Sequence, residues 1–379
     1  MAGIYLHIPF CKQACHYCNF HFSTSLNRKN DFIIALLKEM EARKEYIGEP
    51  AGTVYFGGGT PSLLDPGELE RIMEGLHRHF AILPDPEITL EANPDDITAE
   101  KLRLWARAGI NRLSVGVQSF FEEDLRWMNR AHDAGQAVAS LRLAKEQGFD
   151  NISIDLIYGG PTQPDDRWEQ NVEQAIRLSI PHLSCYALTV EPATALDKMI
   201  RGNKRAAVDP DAQARQFQLL MDWLARAGYD HYEISNFALP GKRSRHNSSY
   251  WQAAAYLGLG PSAHSFDGGS RQWNVANNAR YIDSLLSTGE VPFEKEELSP
   301  LQQLNEYIMI SLRTGEGCDL DAVGRRFGEA AARVLRKKAE RHIQLGTMEI
   351  SGEKDAGARL ALTRAGKLLA DGIAADLFF

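Results

Sequence analysis

Cysteine is scarce in this chain. Five in 379 residues are too few, and odd in number, for a disulfide-built scaffold. Basic charge is not in excess either. Against 42 lysines and arginines stand 50 aspartates and glutamates, a net charge of −8, so there is no overall field to gather nucleic acid or anionic lipid. The first dozen residues have no basic leader and only Ile4-Tyr5-Leu6 as an apolar run before His7 and Pro9, so no secretory signal is expected and the protein is read as cytoplasmic. Low-complexity tracts and solenoid repeats are lacking. What remains is ordinary globular usage, 44% hydrophobic and 24% charged, which fits neither a disordered chain nor a membrane protein. The length suffices for one large core plus a smaller module.

To about residue 235 short β-branched or aromatic runs alternate with helical patterns, the signature of βα units on a parallel sheet. Six runs can be found: Ile4–Ile8, Thr53–Phe56, Glu87–Leu90, Arg112–Val117, Asn151–Ile157 and His182–Leu188. Phe32, Ile33, Leu36, Leu37 and Met40 make one apolar helical stripe, and similar stretches lie near 66–80, 98–108, 134–147, 168–179 and 211–227. Six units fall short of the eight that close a barrel. The expected fold is therefore α/β, an open partial (βα)6 TIM-like barrel over 1–235, with sites at strand C-termini. Tyr229–Ile234 is a further edge-strand candidate. Residues 236–298 lose the alternation and read as an extended connecting segment laid over the barrel. Residues 299–379 read as a small, mainly helical C-terminal domain with a hairpin near Met348–Gly352, of possible winged-helix type. Its 12 basic and 11 acidic residues give no nucleic-acid stripe.

Three of the five cysteines, Cys11, Cys15 and Cys18, form C-x3-C-x2-C directly after the first strand, on the loop at the barrel mouth. Three thiolates can hold three irons of a cubic cluster and leave the fourth without a protein ligand. A zinc site is the rival, with His7, His16 or His21 as fourth ligand. Cys185 and Cys318 read as small buried side chains. Gly57-Gly58-Gly59-Thr60-Pro61 after the second strand is either a ligand-approaching loop or a simple turn; it lacks the lysine of a phosphate loop. Glu91, Gln118, Asp155 and Thr189 end or lie in successive later strands, where polar groups would face one funnel. Each alone reads as a cap or solvated residue, and Arg130 as a surface cation.

The cysteine motif after a first strand resembles the radical S-adenosylmethionine (SAM) superfamily, and Tyr5-x-His7-Ile8-Pro9-Phe10-Cys11 is similar to its oxygen-independent coproporphyrinogen III oxidase branch. The resemblance covers essentially the whole chain. It implies a [4Fe-4S] cluster on Cys11, Cys15 and Cys18, and SAM contacts from Tyr5, Tyr17, Gly58, Gly59, Thr60, Glu91, Gln118, Arg130, Asp155 and Thr189. The cofactor carries the hard chemistry, and no side chain is assigned as general acid or base.

Two departures separate the chain from the oxidase. That enzyme has a further cysteine two residues after the third ligand, where Phe20 stands here, and a long segment ahead of its motif, where Cys11 has ten residues before it. Both match the HemW-type haem chaperones of the same family, which bind haem and pass it to acceptor proteins. His246-Asn247-Ser248-Ser249-Tyr250-Trp251 matches the H-N-x-x-Y-W motif associated with haem in that group. An imidazole is a common axial ligand to haem iron, and Tyr250 and Trp251 offer flat apolar faces. The rival reading has His246 solvated after Lys242-Arg243-Ser244-Arg245 and the two aromatics packing a loop. Those cations are candidate partners for haem propionates. His264 is a second candidate ligand, read first as a structural or pocket-lining histidine. The expectation is a haem chaperone with a [4Fe-4S] cluster and exchangeable SAM, served by a haem acceptor and a reductant protein. The alternative is a radical SAM enzyme acting on a tetrapyrrole.

Overall fold

The computed structural model describes residues 1–351 and 357–379. Six strands, β1 (Ala2–Ile8), β2 (Ala51–Gly58), β3 (Ile82–Ala92), β4 (Arg112–Gln118), β5 (Ile152–Tyr158) and β6 (His182–Ala187), pair in sequence order, each parallel to the next. They are the six apolar runs read from the sequence. β5, Ile-Ser-Ile-Asp-Leu-Ile-Tyr, is buried at every position but Asp155, as expected of a strand covered by helices outside and side chains inside. The intervening helices begin on local signals. Asp65 caps Pro66–His79 through a reciprocal capping box with Glu68 and with Pro66 in the first turn, and Asp133 and Gln136 do the same for Ala134–Glu146. The architecture is the α/β partial barrel expected, followed by a smaller C-terminal unit.

The segment 236–298 corrects an expectation. It is not an extended connection over the barrel; it enlarges the same sheet at both edges. β7 (Asp230–Glu233) and β8 (Asn236–Ala238) add antiparallel beyond β6. β9 (Tyr256–Leu259) pairs parallel with β1, and β10 (His264–Phe266), β11 (Ser270–Asn274) and β12 (Phe293–Glu297) follow antiparallel. Twelve strands thus form one sheet. Leu257, Leu259, Tyr281, Ile282 and Leu285 belong to the barrel core, and Phe32 lies 6.2 Å from Tyr281, ring centre to ring centre. These strands run only three to five residues and are too short for alternation to show. β12, Phe-Glu-Lys-Glu-Glu, is exposed throughout, a charged edge that discourages further pairing.

A second core, from Leu304 to Leu377, holds the C-terminal unit. The helix Pro300–Leu312 leads to β13 (Cys318–Asp319), then helices Leu320–Phe327 and Glu329–Gln344, then β14 (Met348–Ser351) and β15 (Arg359–Leu362), with β15 central in a three-stranded sheet. That order of helix, strand, two helices and hairpin is the winged-helix order. Gly352 of the expected hairpin lies outside the described residues.

Candidate functional site

The loop after β1 is fastened at both ends. Its stem is closed by hydrogen bonds from Cys11 N to Ser23 O (3.0 Å) and from Ser23 N to Pro9 O (2.8 Å). Its far side is tied to the chain end of helix Glu122–Met128: the Asn129 side-chain amide donates to Ala14 O (2.8 Å), and the Asn129 backbone carbonyl accepts from Gln13 Nε2 (2.9 Å). The His16 Nδ1 bonds Trp127 O at 3.1 Å. All five cysteines are free thiols, and those of the loop are half-buried. Burial pushes Cys11 up to about 11 and Cys18 upward as well, so these two thiols keep their protons until a metal takes their place.

Two loop sulfurs are joined by an arc of donors. Thr60 Oγ1 donates to Cys11 Sγ (3.3 Å), Asn93 Nδ2 to Thr60 Oγ1 (3.4 Å), Arg130 Nη2 to Asn93 Oδ1 (2.6 Å), and Arg130 Nη1 to Cys15 Sγ (3.2 Å). Donors aimed at ligand sulfurs are one means by which a protein sets a cluster's potential. Asn93 carries no sequence signal of its own; it stands just past the end of β3, two residues beyond Glu91.

Cys11, Cys15 and Cys18 open onto a cavity of about 400 Å³ at the barrel mouth. Tyr17, Gly58, Gly59, Thr60, Glu91, Gln118, Arg130, Asp155 and Thr189 all line it, so nine of the ten residues assigned to SAM by resemblance converge with the thiols. Gln118 reaches it by an irregularity: the β4–β5 register shifts between Val115 and Gln118, and Gln118 takes φ 67°, a left-handed conformation that re-aims a strand-end side chain. The glycines have a reason other than ligand approach. A Cβ on Gly59 would stand 2.7 Å from Phe10 O and 2.8 Å from Ile8 O, and one on Gly58, at φ +105°, 2.7 Å from the His7 ring. They let β2 end directly against the cysteine loop. Thr189, on the exposed rim, bonds Ala187 O.

The charge inside this cavity is unbalanced in a useful way. Burial, then the neighbouring Asp155, pushes Glu91 up to about 7, although the Tyr55 hydroxyl donates to it at 2.9 Å. Burial pushes Asp155 up to about 6. Beneath them Arg112, also unrecognised in the sequence beyond its place in a strand, is 1% exposed. Its Nε and Nη1, and Nε of Arg130, have no hydrogen-bond partner among the described residues. Paired protonatable carboxyls and unspent guanidinium N–H groups in one cavity suit a zwitterionic, polar ligand. The donor set fits the implied groups: thiols for iron, and acids and cations for SAM. A single-ion zinc site fits less well. Among the described residues no three His, Cys, Asp or Glu side chains converge as one ion's ligands.

Tyr5, the tenth residue, does not line this cavity. Its ring stacks on Tyr55 at 6.0 Å and, like His7 two residues on, faces a second cavity of about 640 Å³. Trp251 and Tyr250 of the helix Arg245–Trp251 line this second chamber, with Tyr256, Phe266 and Tyr307. Asn19 and Phe20 line both cavities, and Phe20 is 68% exposed.

His246, expected to take part in haem binding, is engaged by the protein at both ring nitrogens. It is 1% exposed; Nδ1 is bonded to Thr53 Oγ1 at 2.7 Å and Nε2 to the Tyr250 hydroxyl at 2.8 Å, and the ring stacks on Tyr55 at 5.0 Å. Its backbone N–H and that of Arg245 are held by the Glu87 carboxylate. No ring nitrogen is left for iron, because the imidazole is folded into the barrel interior by the helix that carries it. Two of the preceding cations are engaged: Arg243 pairs with Asp230 and Glu316, and Arg245 donates to Asp85 O.

Comparison with known proteins places the chain in a class first. Residues 5–175 match the radical SAM superfamily and residues 298–369 the HemN C-terminal domain. The solved structure of coproporphyrinogen III oxidase (HemN) from Escherichia coli, a radical SAM enzyme, shares the fold, with a TM-score of 0.86 over 100% of this chain and 90% of that one, at 24% identity. Among curated proteins, the haem chaperone HemW of Mycobacterium tuberculosis is 35% identical over 99% of this chain and 94% of its own length. HemW of Escherichia coli is 37% identical over 69% of each. The chain belongs to the HemW family. A mouse relative, radical S-adenosyl methionine domain-containing protein 1, mitochondrial, is 32% identical over 83% of this chain and 74% of that one. Among the described residues no helix is long and apolar enough to cross a membrane.

Proposed function

We propose that the protein is a haem chaperone, which takes haem into the second chamber and hands it to an acceptor protein while a [4Fe-4S] cluster and exchangeable SAM occupy the barrel mouth. The observation that carries this reading is the shared wall. The cysteine cavity and an aromatic chamber of a size usual for ligand sites, about 300–1,000 Å³, meet at Asn19 and Phe20. The names of the relatives supply haem as the cargo. Phe20 stands where the oxidase has a thiol, so a flat apolar face is turned toward both compartments.

The residues divide the work. Cys11, Cys15 and Cys18 would hold three irons, with Thr60 and Arg130 donating to two of the sulfurs. The Gly58–Thr60 turn and Glu91 would hold the methionine end of SAM, and Tyr17, Gln118, Arg130, Asp155 and Thr189 would complete its polar lining. When bound, the cluster and SAM supply an open iron position and an electron source for carbon–sulfur cleavage. Glu91 can release a proton near neutrality to match a cationic ligand. A reductant protein belongs to the reading, and free loop thiols suit a reducing compartment, which we take to be the cytoplasm.

The test is one anaerobic preparation, reconstituted with iron and sulfide and offered hemin, an apo-haem protein and coproporphyrinogen III in turn. Saturable hemin uptake and transfer to the apo-protein, without SAM-dependent release of carbon dioxide from the porphyrinogen, is the expected result. Rapid decarboxylation would instead make the chain an oxidase.

A further inference from the structure

Four histidines stand in or beside the second chamber. Three of them are engaged by the protein at one ring nitrogen or at both. His246 has both ring nitrogens bonded and lies buried. His7, 5% exposed, gives Nε2 to His21 O at 2.8 Å and sets Nδ1 3.4 Å from the Tyr5 hydroxyl. His21 spends Nε2 on Asn278 Oδ1 at 2.6 Å. The fourth, His264, opens β10 on the chamber wall. It is exposed, its ring is backed by Trp273 at 6.2 Å, and no hydrogen bond among the described residues engages either of its ring nitrogens.

The charges of the same wall are disposed around it. Arg271, two residues into β11, lines the chamber and pairs with Glu306 at 3.0 Å. Arg326 lines it from the C-terminal unit, lying 5.3 Å above the Tyr307 ring, with no carboxylate partner among the described residues. Phe20, Tyr250 and Trp251 line the same chamber, with Arg313 lying 5.5 Å over the Trp251 ring. The chamber therefore has an imidazole with neither ring nitrogen engaged among the described residues, aromatic walls, and two guanidiniums that can bind carboxylates bidentately.

We infer that His264, not His246, is the protein ligand to the haem iron in this chamber, with Arg326 and Arg271 receiving the propionates. This rests on the haem reading above. The porphyrin lies among Phe20, Tyr250 and Trp251, which puts Phe20 between it and the cluster cavity. The neutral imidazole of His264 supplies a nitrogen lone pair to iron without breaking any hydrogen bond. His246 is a positioning residue: it fixes the Tyr250 hydroxyl, and so the ring that walls the chamber.

Hemin titrated anaerobically into the cluster-loaded full chain, read by Soret difference absorbance and by resonance Raman of the iron–ligand modes, tests the assignment. Wild type should show imidazole ligation. His264→Ala should lose that signature and bind hemin roughly 10- to 100-fold more weakly, the scale seen when support of a metal site is removed, and free imidazole should restore the spectrum. His246→Gln should keep the wild-type ligand signature. Unchanged signature and affinity in His264→Ala would overturn the assignment. So would loss of imidazole ligation in His246→Gln that retains normal circular dichroism and iron content. Failure of wild type to bind hemin is a separate outcome; it would remove the haem reading itself, and this inference with it.

Discussion

Glu91 offers a sharp test of how the barrel mouth is balanced, because its carboxyl is held where ionisation is unfavourable until a ligand arrives. Its proton affinity is raised from the ordinary 4.5 to about 7 by burial, with Asp155 the next cause. Each tenfold change in proton affinity corresponds to about 1.4 kcal/mol, so ionised Glu91 destabilises the SAM-free fold by up to about 3 kcal/mol, reduced to about 1–3 by water in the open cavity. The sign follows from linkage. Between 4.5 and 7 the folded chain binds a proton that the unfolded chain has released, so this group's contribution to stability falls as pH rises through that window. Glu91→Gln removes the penalty. In urea unfolding of the cluster-free, SAM-free chain followed by tryptophan fluorescence, the variant should gain about 1–3 kcal/mol over wild type near pH 8, and lose about 1 kcal/mol near pH 5, where only the Tyr55 contact is weakened. Retained SAM would mask the gain, so it is dialysed out and its removal checked. The same variant should bind SAM more weakly. A stability difference that is the same at both pH values would refute the reasoning.

Other substitutions probe other contacts. Gly59→Ala drives a methyl into the backbone carbonyls of Ile8 and Phe10; the cysteine loop must shift, and reconstituted iron and sulfide, measured by colorimetric assay, should fall well below wild type. His246→Ala leaves the Thr53 and Tyr250 hydroxyls buried without their partner and should destabilise the barrel by about 2–4 kcal/mol in urea titration at neutral pH. Burial pushes His246 down to about 3 from 6.5, so its contribution is complete above 6.5 and is lost as pH falls from there toward 3; the variant's acid limb should be correspondingly flatter. Asn93→Ala interrupts the arc between two cluster sulfurs and frees Arg130 to turn from Cys15. The cluster potential in redox titration should move negative while iron content stays near wild type, and an unmoved potential would confine Asn93 to a packing role.

The barrel was legible because its strands are buried on both faces: β5 is apolar at five of seven positions and buried at six, as only a covered sheet requires. The mouth was legible for a related reason, since parallel strands deliver their C-terminal residues to one end and strand-end polar residues converge there. The misreadings have physical causes. Asn93 and Arg112 each resemble a solvated residue, and only the fold reveals that Arg112 is almost fully buried with two guanidinium nitrogens unspent. Tyr5 and His7 share one face of β1, and the chamber they line is walled by Tyr250, Tyr256 and His264 from far along the chain, which no local pattern reveals. His246 follows a basic run that reads as solvated surface, yet Ser244 caps a helix there and Glu87 receives its first N–H groups, drawing the imidazole inward.

That inward turn gives the H-N-x-x-Y-W segment a mechanical meaning. Asn247 lines the cysteine cavity while Tyr250 and Trp251 line the chamber, so one helix of two turns walls both. The contacts continue inside the barrel: Glu91 accepts from the Tyr55 hydroxyl, Tyr55 stacks on His246, and His246 holds the Tyr250 hydroxyl. A ligand that ionises Glu91 alters the acceptor of the first bond in this chain, and a porphyrin against Tyr250 loads the last. Coupling through it requires Tyr55 and His246 to have two arrangements with different affinity for each ligand. Hemin affinity measured with and without SAM reads that coupling directly, and Tyr55→Phe, which removes the Glu91 bond and keeps the ring, should abolish the difference while leaving imidazole ligation intact. A SAM effect that survives in Tyr55→Phe would mean that the two cavities communicate through their shared wall at Phe20 instead.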